Sequence, residues 1–205
     1  MTREREEREV AGTRENLVRA ALQEFATRGY DGSSVRGICA AAGVTTGALY
    51  FFFKNKENLF REVIAPVMGP LEDLIWSVGS ERASAYALGN AASESGLPDR
   101  ARRFLELCEE RSDVVAVLEK NRASSVMEKV RAEHVVALAQ TIRSFLRASG
   151  KPEVAEDDFV VGWLANVALR SIIVVVERSD SLEDALRHLR TVSGFISAGV
   201  LSLRC

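Results

Sequence analysis

Apolar residues recur at three- and four-residue spacings along most of the chain, and nowhere do they alternate convincingly in the period of a strand. Between Thr13 and Thr27 the apolar positions are Leu17, Val18, Ala21, Leu22 and Phe25, which predict an amphipathic helix. Arg28-Gly29-Tyr30-Asp31-Gly32 stops it, with Gly29 as its C-terminal cap. Ser33 or Ser34 caps a short second helix that carries Val35, Ile38, Cys39 and Ala42 inward. Gly43-Val44 makes a turn, and Thr45 opens a third helix that ends near Phe53. A long helix begins near Lys56 with Leu59, Phe60, Val63 and Ile64 and continues through Val67, Leu71, Leu74, Ile75 and Val78; Pro66 and Pro70 predict a kink or break in it. The segment Ser93 to Pro98 reads as a loop. Further helices are predicted at about 99–109, 112–122, 124–148, 156–178 and 181–202, separated at the end by Gly150-Lys151-Pro152 and Ser179-Asp180. Residues 1–12 read as a charged, disordered or frayed tail. The expected fold class is all-α.

Two stretches qualify this picture without changing it. Ile172 to Val176 is a β-branched run, but it ends a long apolar helical pattern and has no partner strand. Phe159 to Val176 is apolar over the length of a membrane span, yet Asn166 and Arg170 lie near its middle and are costly in lipid. The expectation is a buried helix of a soluble protein.

Composition narrows the function classes. The 205-residue chain is 47% hydrophobic and 27% charged, enough for a sizeable core, and its net charge of −2 rules out a uniformly basic nucleic-acid coat. From Thr13 to Ile64 seven cations face five anions, so the N-terminal part is weakly positive and the rest negative. Cys39, Cys108 and Cys205 are far apart, odd in number and without a CxxC spacing, which predicts reduced thiols. The charged N-terminus has no apolar stretch behind it, so no secretory signal and a cytoplasmic location are expected. His134 and His188 have no neighbours at metal-ligand spacing, and no P-loop, GxGxxG or GxSxG occurs. Neither metal, cofactor nor enzymatic activity is expected.

The chemistry is concentrated in Gly43 to Phe60, GVTTGALYFFFKNKENLF. A sharp turn joins two short helices, and small residues Thr46, Gly47 and Ala48 keep the second slim enough to enter a groove. Thr45, Tyr50, Lys54 and Lys56 offer hydroxyls and cations suited to phosphates. Tyr50 alternatively serves as a half-buried core residue, and Lys54 as a solvated charge. Arg36 suits a base edge or a phosphate, and Phe51 a thymine methyl. Leu49 and Phe53 are expected in the core.

Read together, Leu17 to Phe25, Gly29-Tyr30, Ser33 to Ile38, Ala42 to Thr45, Gly47 to Phe53 and Lys54 to Leu59 resemble, in order, the DNA-binding domain of the tetracycline-repressor (TetR) family. The resemblance implies an N-terminal helix-turn-helix domain over 13–57, joined by a long helix to a regulatory and dimerisation domain over 58–205, about nine helices in all. It implies a homodimer that binds a palindromic operator in double-stranded DNA, most simply a repressor released by a small apolar or amphipathic effector. An activator, or a regulator controlled by a protein partner, remains the alternative. The dimer would form through about 156–178 and 181–202, where Ala165, Ala168, Ser171, Gly194, Ala198 and Gly199 permit close approach. Two positions depart from the family pattern. Phe52 stands where a phosphate-touching histidine is common, so it either touches sugar or leaves the phosphate to Lys54 and Lys56. Gly37 replaces a frequent acidic residue at a helical cost of about 0.5–1 kcal/mol. For the effector pocket the expected lining is Leu71, Leu74, Ile75, Phe104, Leu107, Cys108, Met127, Leu138 and Trp163, on helix faces turned to the domain centre. Asn166 and Arg170 either meet a polar ligand group or pair across a dimer interface.

Overall fold

The first helix runs further toward the N-terminus than the apolar pattern alone predicts. In the computed structural model, which describes residues 2–87, 97–148 and 159–202, α1 spans Thr2–Gly32. Its opening turns alternate arginine and glutamate so that Arg3 and Glu7, Glu4 and Arg8, and Arg5 and Glu9 are four residues apart, the spacing at which opposite charges support a helix. The break comes at Gly29, whose φ of 72° lies in the left-handed region open to glycine. There follow α2 (Val35–Ala42), α3 (Thr46–Phe52), α4 (Lys56–Ala87), α5 (Leu97–Glu110), α6 (Ser112–Lys120), α7 (Ser125–Ala148), α8 (Phe159–Arg178) and α9 (Leu182–Ser202). The described residues are helices and their connections throughout, as an all-α fold requires.

The short helices begin and end for identifiable reasons. Ser34 Oγ accepts from the Gly37 N–H at 3.0 Å and starts α2. Gly43, at φ 68°, closes it, and the N–H groups of Gly43 and Val44 return to the carbonyls of Ala40 and Cys39. Thr45 Oγ1 then accepts from the Ala48 N–H at 3.2 Å and starts α3. A Cβ on Gly37 would lie 3.1 Å from Ser34 Oγ and 3.2 Å from Glu24 Oε1, so the close crossing of α2 over α1 explains a glycine in a helix.

Two expectations need correcting. Pro66 and Pro70 do not break α4, which is continuous from Lys56 to Ala87. Leu97 and Pro98, expected in a loop, form the first turn of α5, where proline loses no helical hydrogen bond. Residues 93–96 and the predicted Gly150-Lys151-Pro152 separator lie outside the described residues.

The chain divides into two units. The first comprises residues 1–68 together with 111–129, the second residues 69–110 with 130–205. In the first, Leu17, Ala21 and Phe25 of α1, Ile38 and Cys39 of α2, Leu49 of α3, and Leu59, Phe60, Val63 and Ile64 of α4 are buried. Helix α6 packs on α1 and buries Val114 and Val117. Phe25, Tyr30 and Phe60 form an aromatic triangle with centroids 5.1–5.9 Å apart.

Asn121 locks this arrangement. It is 2% exposed, and its side-chain amide donates to the carbonyls of Phe25 at 3.1 Å and Val117 at 2.7 Å. Its Oδ1 accepts from the Tyr30 N–H, released where α1 breaks. Each polar atom of this buried amide therefore meets a backbone group. Nearby, Ser125 Oγ donates to Asp31 at 3.1 Å.

In the second unit, Ala101 and Leu105 of α5, Val175 of α8, and Ala185 and Leu186 of α9 form one apolar cluster. His134 of α7 is buried; its Nδ1 is 2.6 Å from the Val130 carbonyl and its Nε2 2.9 Å from Glu72 of α4, although that carboxylate lies off the hydrogen-bonding direction. Helix α8 is apolar enough, by length and composition, to cross a membrane over Phe159–Val176. It is not buried all round as expected. Val161, Leu164, Ala165, Ala168 and Leu169 face inward, while Phe159, Trp163, Asn166, Arg170 and Val174 are exposed along the other side. Ala165 and Ala168, expected at a dimer interface, are thus enclosed within the chain.

Replacing Asn121 with Ala strands the Tyr30 N–H and removes the amide's bonds to two carbonyls, and should cost about 1–3 kcal/mol, read as a lower urea midpoint with an unchanged m-value. Asn121→Asp should cost at least as much, because no carboxylate oxygen can donate to the carbonyls of Phe25 and Val117.

Candidate nucleic-acid interface

The turn between α2 and α3 sets the two axes at 99°, in the range of a helix-turn-helix. Leu49 is fully buried and Phe53 is 4% exposed, which seats α3 against the core by one face. The opposite face is open: Thr45, Thr46, Gly47, Tyr50, Phe51 and Lys54 are exposed, as is Arg36 on α2, and Ala48 is half-buried. Tyr50 is 56% and Phe51 77% exposed, so Tyr50 is not a core tyrosine. A Cβ on Gly47 would meet only Thr45 Oγ1 at 3.7 Å, so nothing inside the protein demands glycine there. Its small size leaves the helix backbone open on the outward side. The Thr45 hydroxyl accepts a bond from the Ala48 N–H and keeps its proton to donate elsewhere.

Phe52 is half-buried, and its ring packs edge-on against Phe51 at 5.0 Å and leans toward Phe53 at 6.4 Å. Phe53 in turn carries the Arg14 guanidinium 5.5 Å above its ring. The three consecutive phenylalanines therefore run from the core to the exposed surface.

Lys56 has a different task from the one its position predicts. Its ammonium donates to the carbonyls of Tyr30 at 2.7 Å and Ser33 at 3.1 Å and lies 4.3 Å from the Tyr30 ring centroid. Burial holds its pKa below the usual lysine value. This charge serves the fold, and among the predicted phosphate cations Lys54 is the one left facing solvent with Arg36. The pattern also hid two supports. Asn55 Oδ1 accepts from the Asn58 N–H at 2.8 Å and caps α4; an Asn just before a charged, then apolar, helical run is a legible sign of this. Glu57 takes Lys129 at 2.8 Å and Arg61 at 3.1 Å, and these two cations, Lys129 first, hold its carboxyl below the ordinary glutamate pKa. Lys129 is 72 residues away, and no local pattern announces it.

The buried Cys39 thiol is pushed up by burial, and that of Cys108 to about 11 by burial and by Glu109, so both stay protonated and poorly nucleophilic. Among the described residues no group of three or more His, Cys, Asp and Glu side chains is placed to hold a metal ion.

The helix-turn-helix geometry coincides with a family match. Residues 17–63 fit the family described as bacterial regulatory proteins, tetR family. The chain carries the N-terminal domain of the TetR family. The HTH-type transcriptional repressor BepR of Brucella suis is 40% identical over 67 residues, which are 33% of this chain and 32% of BepR. The HTH-type transcriptional regulator AcrR of Shigella flexneri is 42% identical over 55 residues, 27% of this chain and 26% of AcrR. The matches thus span a third or less of these relatives. For the fold as a whole, the structure of SmeT, the repressor of the Stenotrophomonas maltophilia multidrug efflux pump SmeDEF, superposes with a TM-score of 0.55 at 18% identity over 91% of this chain and 89% of SmeT. A transcriptional regulator from Aquifex aeolicus gives 0.52 at 24% identity over 90% and 99%. Their likeness shows a shared all-helical fold over nearly the whole chain.

The predicted effector-pocket residues do not share one environment. Leu71, Leu74, Phe104, Cys108 and Leu138 are buried and Leu107 half-buried in the second unit. Met127 is buried but belongs to the first unit. The side chain of Ile75 lies outside the described residues. Trp163 is 52% exposed and stands with Asn166 and Arg170 on the outer side of α8, so these three do not face the domain centre. A surface cleft of about 540 Å³ in the second unit is lined instead mainly by polar residues, Arg102 of α5 and Asp184, Arg187 and Arg190 of α9 among them.

Two measurements check these assignments. Lys56→Met keeps the aliphatic stem but loses two charge-assisted bonds, and should lower unfolding free energy by about 1.5–3 kcal/mol; Lys54→Met should leave it nearly unchanged. Because the folded pKa of Glu57 is depressed, its pairs stabilise the protein above the ordinary value of 4.5 and are lost as pH falls through the folded value. Glu57→Gln should therefore lower the melting temperature at neutral pH and flatten its decline on the acid side.

Proposed function

We propose that this TetR-family chain is a cytoplasmic, non-enzymatic transcriptional regulator that binds a palindromic operator as a homodimer, acting as a repressor that a small apolar or amphipathic effector releases. The observation that carries the reading is the open face of α3. Thr45, Tyr50 and Lys54 offer two hydroxyls and a cation for phosphates, Thr46, Gly47 and Ala48 allow close approach, and Arg36 adds a second exposed cation from α2. The named relatives BepR and AcrR, a repressor and a regulator, agree with it.

The dimer is supported by the outer sides of α8 and α9. Phe159 is 80%, Trp163 52%, Val174 50% and Phe195 75% exposed, a set of large apolar side chains that a second copy would cover. On this reading Asn166 and Arg170, flanked by Trp163 and Val174, belong to the interface rather than to the effector. The effector would enter the apolar part of the second unit around Leu71, Leu74, Phe104, Leu107, Cys108 and Leu138.

A duplex from upstream of the protein's own gene should form a specific complex that weakens steeply with salt, and absence of sequence preference at every salt concentration defeats the reading. Tyr50→Phe should weaken specific and non-specific duplexes alike, as loss of a phosphate contact does. In sedimentation the chain should run at twice its 22.5 kDa mass, whereas Trp163→Asp combined with Phe195→Asp should run as a monomer and bind the operator poorly.

A further inference from the structure

Helix α3 reads Thr46-Gly47-Ala48-Leu49-Tyr50-Phe51-Phe52. It contains no Arg, Lys, Asn, Gln, Asp or Glu, the side chains that make bidentate hydrogen bonds to guanine and adenine or accept from cytosine in the major groove. What it exposes is apolar or hydroxylic, and Phe51 is 77% exposed. A lone exposed ring usually costs order when it binds, but this one is braced. Phe52 packs edge-on against it at 86° and is itself backed by Phe53, which is in the core. A rigid apolar knob with no donor of its own can distinguish bases in one way: thymine alone presents a methyl group in the major groove.

We propose that α3 reads its operator through thymine 5-methyl groups, with Phe51 as the specificity-determining contact and Phe52 as the residue that positions it. The proposal rests on the DNA-binding reading above and adds the chemistry of the base that is recognised. It also gives the departure at Phe52 a reason. The position that loses a phosphate donor gains a brace for the reading ring.

The test uses the full-length protein and a duplex that it has itself selected from a random-sequence pool. Each thymine in turn is replaced by deoxyuridine, which pairs identically and lacks only the methyl group. The wild-type protein should lose about fourfold in affinity at one or more symmetry-related positions, the effect of one methyl group leaving an apolar contact. Phe51→Ala should bind the unmodified duplex with the same loss and show no further response to uracil there. Phe51→Leu, still apolar, should retain part of the response. Because Phe51 is exposed, both variants should melt with the wild type. A specific complex indifferent to uracil at every position, or a Phe51→Ala variant that responds as the wild type does, overturns the proposal and leaves the DNA-binding reading intact. Failure to select any duplex overturns that reading, and this proposal with it.

Discussion

Where α1 breaks at Gly29, backbone polar groups are released inside the protein, and the N-terminal unit is built around satisfying them. The Tyr30 N–H goes to Asn121, and the Tyr30 carbonyl receives both Lys56 and the Ser33 hydroxyl. The Tyr30 ring fills the space between Phe25 and Phe60. One residue thereby ties together α1, the segment after α6 and the start of α4. A buried unpaired amide or carbonyl costs as much as several surface ion pairs contribute, so this corner, rather than the exposed charges, fixes where α2 and α3 are held.

This corner also separates what was legible in the sequence from what was not. The helix limits were, because glycine and Ser or Thr mark local backbone needs: Gly29, Gly43, Ser34 and Thr45 each do in the structure what their chemistry suggests. The buried face of α3 was legible too, since Leu49 and Phe53 follow the helical period. Long-range polar partners were not. Lys56 has the sequence position of a phosphate contact, and only the fold brings carbonyls within its reach. Asn121 sits in an unremarkable turn and carries no local sign of being buried. Prolines misled in α4 because a helix packed on both sides of them, at Val63, Ile64, Val67, Leu71 and Leu74, tolerates two lost hydrogen bonds that an isolated helix does not. On α8 the run of apolar residues concealed two faces of different fate, since periodicity cannot say whether an apolar side meets its own chain or another.

The outward surface of α3 carries no charged side chain of its own. Cations near it come from Arg36 and Lys54, outside the helix, while the helix itself offers shape. On the proposed reading, such a division would let the flanking charges set overall attraction to the duplex and leave discrimination to close apolar fit, which is insensitive to salt.

The family match ends at residue 63, but the folded unit does not: it closes only with residues 111–129, and above all with Asn121. Modularity in this protein is therefore spatial and not colinear. A chimaera that joins its first 68 residues to another regulator's remainder would inherit the reading helix without the amide that finishes its scaffold, and a graft of binding specificity would have to carry the α6–α7 turn along with it.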